Sequence, residues 1–179
     1  MSRRTLASVL LLWAAVAAAP ATAQDGAAEA RLAGRLVVDT VASAALEGNI
    51  LGDPVRQQVV VYLPPDYDRA PTRRYPSVYL LPPFDGSAST WTRAWPALFG
   101  PRPGVAFIDS VMAAGEVPPM IVVMPNGRNR YHGSFFFNSP ISGNWEDFLT
   151  IEIVRHIDQT YRTLPAAESR GVAGHSMGG

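Results

Sequence analysis

Beyond its N-terminal segment, the chain carries its apolar residues in short bounded runs that alternate between the period of strands and that of helices. Leu36-Val37-Val38 and the stretch to Leu46 predict a first strand, and Gly48 to Pro54 a turn. Val55 to Leu63 predicts a second strand centred on Val59, Val60 and Val61, so the two form an antiparallel hairpin. Pro64-Pro65-Asp66-Tyr67-Asp68 ends it, and Arg69 to Arg74 is a polar connection carrying Pro71. Tyr75 to Leu81 is a continuous apolar run, as expected of a strand covered on both faces. Helical turns follow around Trp91 to Leu98, then a helix from Val105 to Ala114 closed by Gly115, then a strand from Met120 to Met124 ended by Pro125-Asn126-Gly127. Arg128 to Gly143 has neither period and reads as a long functional loop. Asn144 is placed to cap a helix from Trp145 to Tyr161, with Glu146 and Asp147 at its positive end. Trp145, Phe148, Ile151, Val154, Ile157 and Tyr161 make its apolar face. Arg170-Gly171-Val172-Ala173 reads as a short buried strand running into Gly174-His175-Ser176-Met177-Gly178-Gly179.

Strands alternating with helices after a hairpin imply an α/β three-layer sandwich, counted as one domain over residues 36–179 behind a flexible leader at 24–35. Residues 1–23 read as a secretory signal peptide. Arg3 and Arg4 form its charged region, Val9 to Ala19 its apolar region and Ala21-Thr22-Ala23 its cleavage site, which predicts a mature start at Gln24. The apolar run is shorter than the roughly 18 to 20 residues of a spanning helix, and Pro20 ends it, so no membrane span is expected after cleavage. The sequence holds 15 basic and 15 acidic residues, a balance that argues against a nucleic-acid partner, which would need a basic face. There is no cysteine and no lysine, which removes thiol nucleophiles, Schiff-base chemistry and thiolate metal sites within this stretch. The 3 histidines have no metal-motif spacing, and the residues name neither a metal nor a cofactor.

The chemistry is concentrated in the last residues. A Gly-x-Ser-x-Gly between a strand and a helix lifts its serine hydroxyl to the top of a sheet, where a base can reach it, and here the serine is Ser176. His175 is expected to diverge from it as a structural neighbour. His132 sits in the aromatic loop within reach of a substrate, and His156 is expected as a satisfied polar contact at the sheet margin. Asp109, Glu152 and Asp158 read as solvated helix faces or local ion pairs. Tyr131, Phe135, Phe136 and Phe137 serve either as core cover or as the wall of an acyl or aryl pocket.

Four stretches in order, Val61-Tyr62-Leu63-Pro64-Pro65-Asp66-Tyr67, Tyr75-Pro76 before Val78-Tyr79-Leu80-Leu81, Met124-Pro125-Asn126-Gly127 and Gly174 to Gly179, resemble the esterase group of α/β-hydrolases. That group includes S-formylglutathione hydrolase, feruloyl and acetylxylan esterases, enterobactin esterases and mycolyltransferases. The resemblance runs from about Val55 to Gly179 and implies the α/β-hydrolase sandwich, in its N-terminal portion up to the nucleophile elbow. It implies Ser176 as the nucleophile of an exported serine esterase acting on a small-molecule or polymer-linked ester. The amide of Met177 would be one oxyanion donor and, by position, that of Phe84 the second. Where relatives carry His-Gly and a glycine-rich turn, this chain has Pro82-Pro83-Phe84-Asp85-Gly86, and the two prolines have no N–H to donate. A carboxylate beside a developing oxyanion is unfavourable, so Asp85 is expected to point away. In such enzymes the triad acid and histidine follow the serine, so residues 1–179 are expected to be an N-terminal fragment, inactive by itself. An acyltransferase with the same nucleophile and a non-catalytic binding module with the same fold are the alternatives.

Overall fold

A computed structural model describes residues 31–179. Its main sheet comprises β1 (Arg35–Ala42), β2 (Arg56–Leu63), β3 (Ser77–Leu81), β4 (Ile121–Pro125) and β7 (Arg170–Gly174), in the order β1-β2-β4-β3-β7. β1 and β2 form the expected antiparallel hairpin, with Val37 opposite Val61, and β2 continues antiparallel onto β4. β3 runs parallel to both β4 and β7. The chain leaves β3 toward β4 and returns past β3 to reach β7. Right-handed crossovers in opposite directions require helices on opposite faces of the sheet.

Strand alternation supplies both faces. Val59, Val61, Leu63, Tyr79, Ile121 and Val123 pack against Trp145, Phe148, Ile153 and Ile157. Val60, Tyr62, Val122 and Met124 face the other way, onto Trp91, Val105 and Met112. Each such buried side chain contributes about 1.5–3 kcal/mol, so the paired clusters fix which face every strand residue takes. The second face is covered by a 3₁₀ turn (Thr90–Thr92), α1 (Pro96–Phe99) and α2 (Gly104–Ala113), which ends before Gly115 at φ 75°.

The first face is covered by a helix in three parts, α3 (Trp145–Asp147), a π-helical stretch (Phe148–Ile153) and α4 (Val154–Thr160). The wider π turn changes the predicted apolar face, because Ile153 is fully buried while Ile151 is 48% exposed. The predicted cap changes too. Asn144 makes no side-chain cap bond, and Asn138 Oδ1 instead accepts the amides of Glu146 and Asp147 at 3.1 and 3.2 Å. Asn138 belongs to a small ribbon, β5 (Asn138–Ser139) with β6 (Gly143–Asn144), inside the stretch read as irregular.

Three further expectations are corrected. β1 opens at Arg35, and the amides of Ala33 and Gly34 donate to the Asp109 carboxylate at 3.0 and 2.8 Å, so the end of the predicted leader is docked on α2. Asp109 is therefore no solvated residue. It is 7% exposed and also accepts the Tyr62 hydroxyl at 2.8 Å, and burial together with this bond pushes the Tyr62 phenol well above its ordinary range. Glu152 likewise accepts the Ser43 hydroxyl and the Ala45 amide, tying the π stretch to the end of the hairpin. β7, predicted as buried, leaves Val172 71% exposed, because among the described residues β7 pairs on one side only, with β3. The signal peptide and residues 24–30 of the leader lie outside the described residues.

Candidate active site

Parallel pairing of β3 and β7 sets Leu81 opposite Gly174, so the turns that follow both strands start side by side at the carboxyl edge of the sheet. Ligand crevices of open α/β sheets form at this edge. After Gly174 the chain passes extended His175 and turns at Ser176, whose φ of 55° is left-handed. A non-glycine residue there carries a strain of about 1–3 kcal/mol and persists only where its surroundings impose it. The two flanking glycines do so by close approach. A Cβ at Gly174 would lie 2.0 Å from the Gly178 carbonyl oxygen, and one at Gly178 would lie 2.6 Å from Leu81. Hydrogen bonds from the Gly178 amide to the His175 carbonyl (3.1 Å) and from Gly179 to Ser176 (3.0 Å) close the turn, and Ser176 is exposed.

The loop after β3 meets this turn through Met177. The Cβ positions of Gly127 and Gly133 would fall 3.1 Å from Met177 Cε and 2.8 Å from its sulfur, and the same two positions touch Pro82, Phe84 and Phe136. The methionine thus fills the junction of the turns after β3, β4 and β7, where only glycines leave room for it. Within the β3 loop the amides are nearly all accounted for. Pro82 and Pro83 have none, Asp85 donates to the His132 carbonyl at 2.6 Å, and Gly86 donates to the Pro83 carbonyl at 2.9 Å. Among the described residues, the amides of Phe84 and Met177 have no internal acceptor.

The Asp85 carboxylate turns to Arg128 (Nε, 2.8 Å) and His132 (Nδ1, 3.0 Å), and the His132 bond followed by the Arg128 charge holds it below the usual carboxylate range. His175 lies edge-on to Trp95, with ring centres 5.1 Å apart. Phe84, Asp85, Thr90, Arg93 and Trp95 line a cleft of 340 Å³ next to it. His156 bonds Asp39 at 2.9 Å, far along β1, and Asp39 also takes the Tyr161 hydroxyl. Asp158 pairs with Arg170 at the start of β7.

Comparison with known proteins agrees with this architecture. The family model described as "Putative esterase" matches residues 51–179. The chain belongs to this esterase family. It is 34% identical over 126 residues to Esterase Rv1288 of Mycobacterium tuberculosis, an alignment that covers 68% of this chain and 24% of that protein. It is 31% identical over 131 residues to the endo-1,4-beta-xylanase/feruloyl esterase of Xylanibacter ruminicola, covering 69% and 16%. A ferulic acid esterase structure superposes with TM-score 0.65 at 27% identity over 81% of this chain and 49% of that one. The S-formylglutathione hydrolase of Agrobacterium tumefaciens shares the fold, with TM-score 0.55 at 19% identity over 83% and 51%. The chain therefore spans a quarter or less of these curated relatives and about half of the solved structures. Its fold is that of the α/β-hydrolases.

In this esterase-family chain the aromatic loop divides. Tyr131, Phe135 and Phe137 line a hollow of 260 Å³ together with Ile141, whereas Phe136 is turned onto Gly127 beside Met177. Phe135 and Phe136 both sit at left-handed φ, 53° and 52°. The loop's frame went unnoticed in the sequence. Asn129 Oδ1 accepts the amides of Tyr131 (2.9 Å) and Gly133 (3.1 Å), and Asp53 Oδ1 that of Arg130 (2.9 Å). Asn129 had a legible signal, since asparagine bonding the backbone two residues on is a recurrent turn device. Asp53, 77 residues away from its partner, had none.

Proposed function

We propose that this chain carries the nucleophile and the oxyanion cradle of a serine carboxylic ester hydrolase. The observation that bears most weight is the left-handed Ser176 at the end of β7, held there by the contact of Gly174 with Gly178. Ser176 Oγ attacks the ester carbonyl carbon, and its proton passes to a base. The tetrahedral oxyanion is received by the unspent amides of Met177 and Phe84, each worth about 10²–10³ in turnover. Collapse expels the alcohol and leaves an acyl-serine, which water then hydrolyses to the acid and free Ser176.

The base is assigned to none of the histidines in residues 1–179. His175 packs on Trp95, His132 bonds Asp85, and His156 bonds Asp39. The hollow beside Tyr131, Phe135 and Phe137 suits an aryl or acyl group, and ferulic acid esterases among the similar structures support an aromatic acid on a small molecule or polymer. Export with a mature start at Gln24 is part of this reading. In the full-length protein, Ser176→Ala should reduce turnover of p-nitrophenyl acetate and of methyl ferulate by about 10⁶-fold. Turnover retained in that variant contradicts the nucleophile, and a wild-type protein that binds such esters without cleaving them indicates a binding module.

A further inference from the structure

The cluster of Asp85, Arg128 and His132 takes no part in the bond-making proposed above, yet it borders the Phe84 amide. Asp85 is tied to the segment after β4 twice over, its backbone N–H hydrogen-bonded to the His132 carbonyl and its carboxylate hydrogen-bonded to the His132 ring and ion-paired with the Arg128 guanidinium. Both Asp85 and His132 sit at left-handed φ, 63° and 67°, so two strained residues face each other across the loops that their bonds join. Phe84 precedes Asp85 directly, and its ring leans on His132 and Phe135 at 6.3 and 6.2 Å.

The three side chains are each more than half exposed, at 55%, 51% and 57%. Ion pairs so exposed add little to global stability, because water screens them and ordering long side chains costs entropy. Orientation is a different matter, since a displacement of about 1 Å in a reacting group costs on the order of 100-fold in rate. The two prolines before Phe84 offer no donors, so the polar ties from this loop to the segment after β4 are those of Asp85, through its amide and its carboxylate.

Resting on the Ser176 reading, we infer that Asp85 is a positioning residue. Gripped by His132 and Arg128, it locks the loops after β3 and β4 together and holds the Phe84 amide toward the ester oxygen. The same grip neutralises a carboxylate that would otherwise oppose the negative charge developing there. It stays ionised in the clamp, as its lowered proton affinity indicates.

Three substitutions in the full-length protein separate the side chain from the backbone. Asp85→Gly removes the carboxylate while relieving the left-handed φ, Asp85→Ala removes it with the φ cost retained, and Asp85→Asn keeps an acceptor oxygen and tolerates this φ. The clamp predicts a kcat about 10- to 100-fold lower for both Gly and Ala variants. It also predicts an unchanged KM, urea midpoints that differ between the Gly and Ala variants only by their φ cost, and recovery of most of the kcat loss in Asp85→Asn. Hydrogen exchange followed by mass spectrometry should show faster exchange in Asp85→Gly over residues 84–87 and 130–134 alone. Ser176-dependent turnover with wild-type kcat in Asp85→Gly overturns the clamp and leaves the serine reading standing. If the wild type shows no Ser176-dependent turnover, the serine reading fails, and unchanged exchange in Asp85→Gly then overturns the clamp as well.

Discussion

Gly174→Ala is the sharpest perturbation of the turn that presents Ser176. The φ of Gly174 is not left-handed, so alanine meets no backbone penalty, and the whole effect comes from space. The new Cβ would stand 2.0 Å from the Gly178 carbonyl oxygen and 2.5 Å from its carbon. Carbon and carbonyl oxygen ordinarily meet no closer than about 3.3 Å, so one side must move by more than about 1 Å. The obstacle is backbone, and Gly178 cannot retreat, because its own Cβ direction is walled by Leu81 at 2.6 Å. Overpacking of this kind costs about 1–3 kcal/mol. The same displacement at Ser176 lowers kcat on the order of 100-fold. Gly171→Ala in the same strand is the control, since its Cβ meets only Val78 Cγ2, at an ordinary 3.4 Å. Its turnover should stay within about twofold, as for substitutions that touch nothing. The assay is burst kinetics with p-nitrophenyl acetate and a urea transition on both full-length variants. Equal turnover in the two would refute the argument that close approach at Gly174 shapes the elbow.

Asp109→Ala leaves three donors without their acceptor; Ala33 is an exposed residue and Gly34 a half-buried one, whereas Tyr62 is fully buried, so its hydroxyl is the most costly to strand and the loss should be about 1–3 kcal/mol. An unchanged urea midpoint contradicts this, and Tyr62→Phe in the Asp109→Ala background should recover much of the loss. Burial raises the Tyr79 phenol to about 12, with Asp158 adding to it, and raises those of Tyr62 and Tyr161 as well. Because these folded values lie above the unfolded one, the stability they contribute is complete below pH 10 and falls as pH rises toward 12. Absorbance at 295 nm should therefore show late-titrating tyrosines coupled to unfolding, and all tyrosines ionising together near pH 10 in a folded protein would contradict it. Mass spectrometry of exported protein should give Gln24 as the first residue, and an uncleaved Met1 would contradict the signal peptide.

What the sequence made legible was whatever depends on neighbours in the chain. The strand centred on Val59, Val60 and Val61, the Gly115 stop and the strand limits at Arg170 and Gly174 are local signals. The failures arise where a distant group decides. Ile151 and Ile153 exchange roles because a π turn resets the helical period, which no 3.6-residue pattern contains. Asn138 displaces Asn144 as the cap because a ribbon folds it back onto the helix start. Asp109 and Glu152 look like solvated helix residues until backbone amides from before and after β1 arrive as partners. At the candidate site the elbow is local and was visible. The accounting that singles out the Phe84 amide depends on a bond from Asp85 to His132, 47 residues along the chain.

The most direct measurement is covalent labelling of the full-length protein with a fluorophosphonate probe, followed by intact-mass and peptide mass spectrometry. The account predicts a single adduct, on Ser176, abolished in Ser176→Ala and slowed in Gly174→Ala. An adduct on another residue, or undiminished labelling in Ser176→Ala, would contradict it.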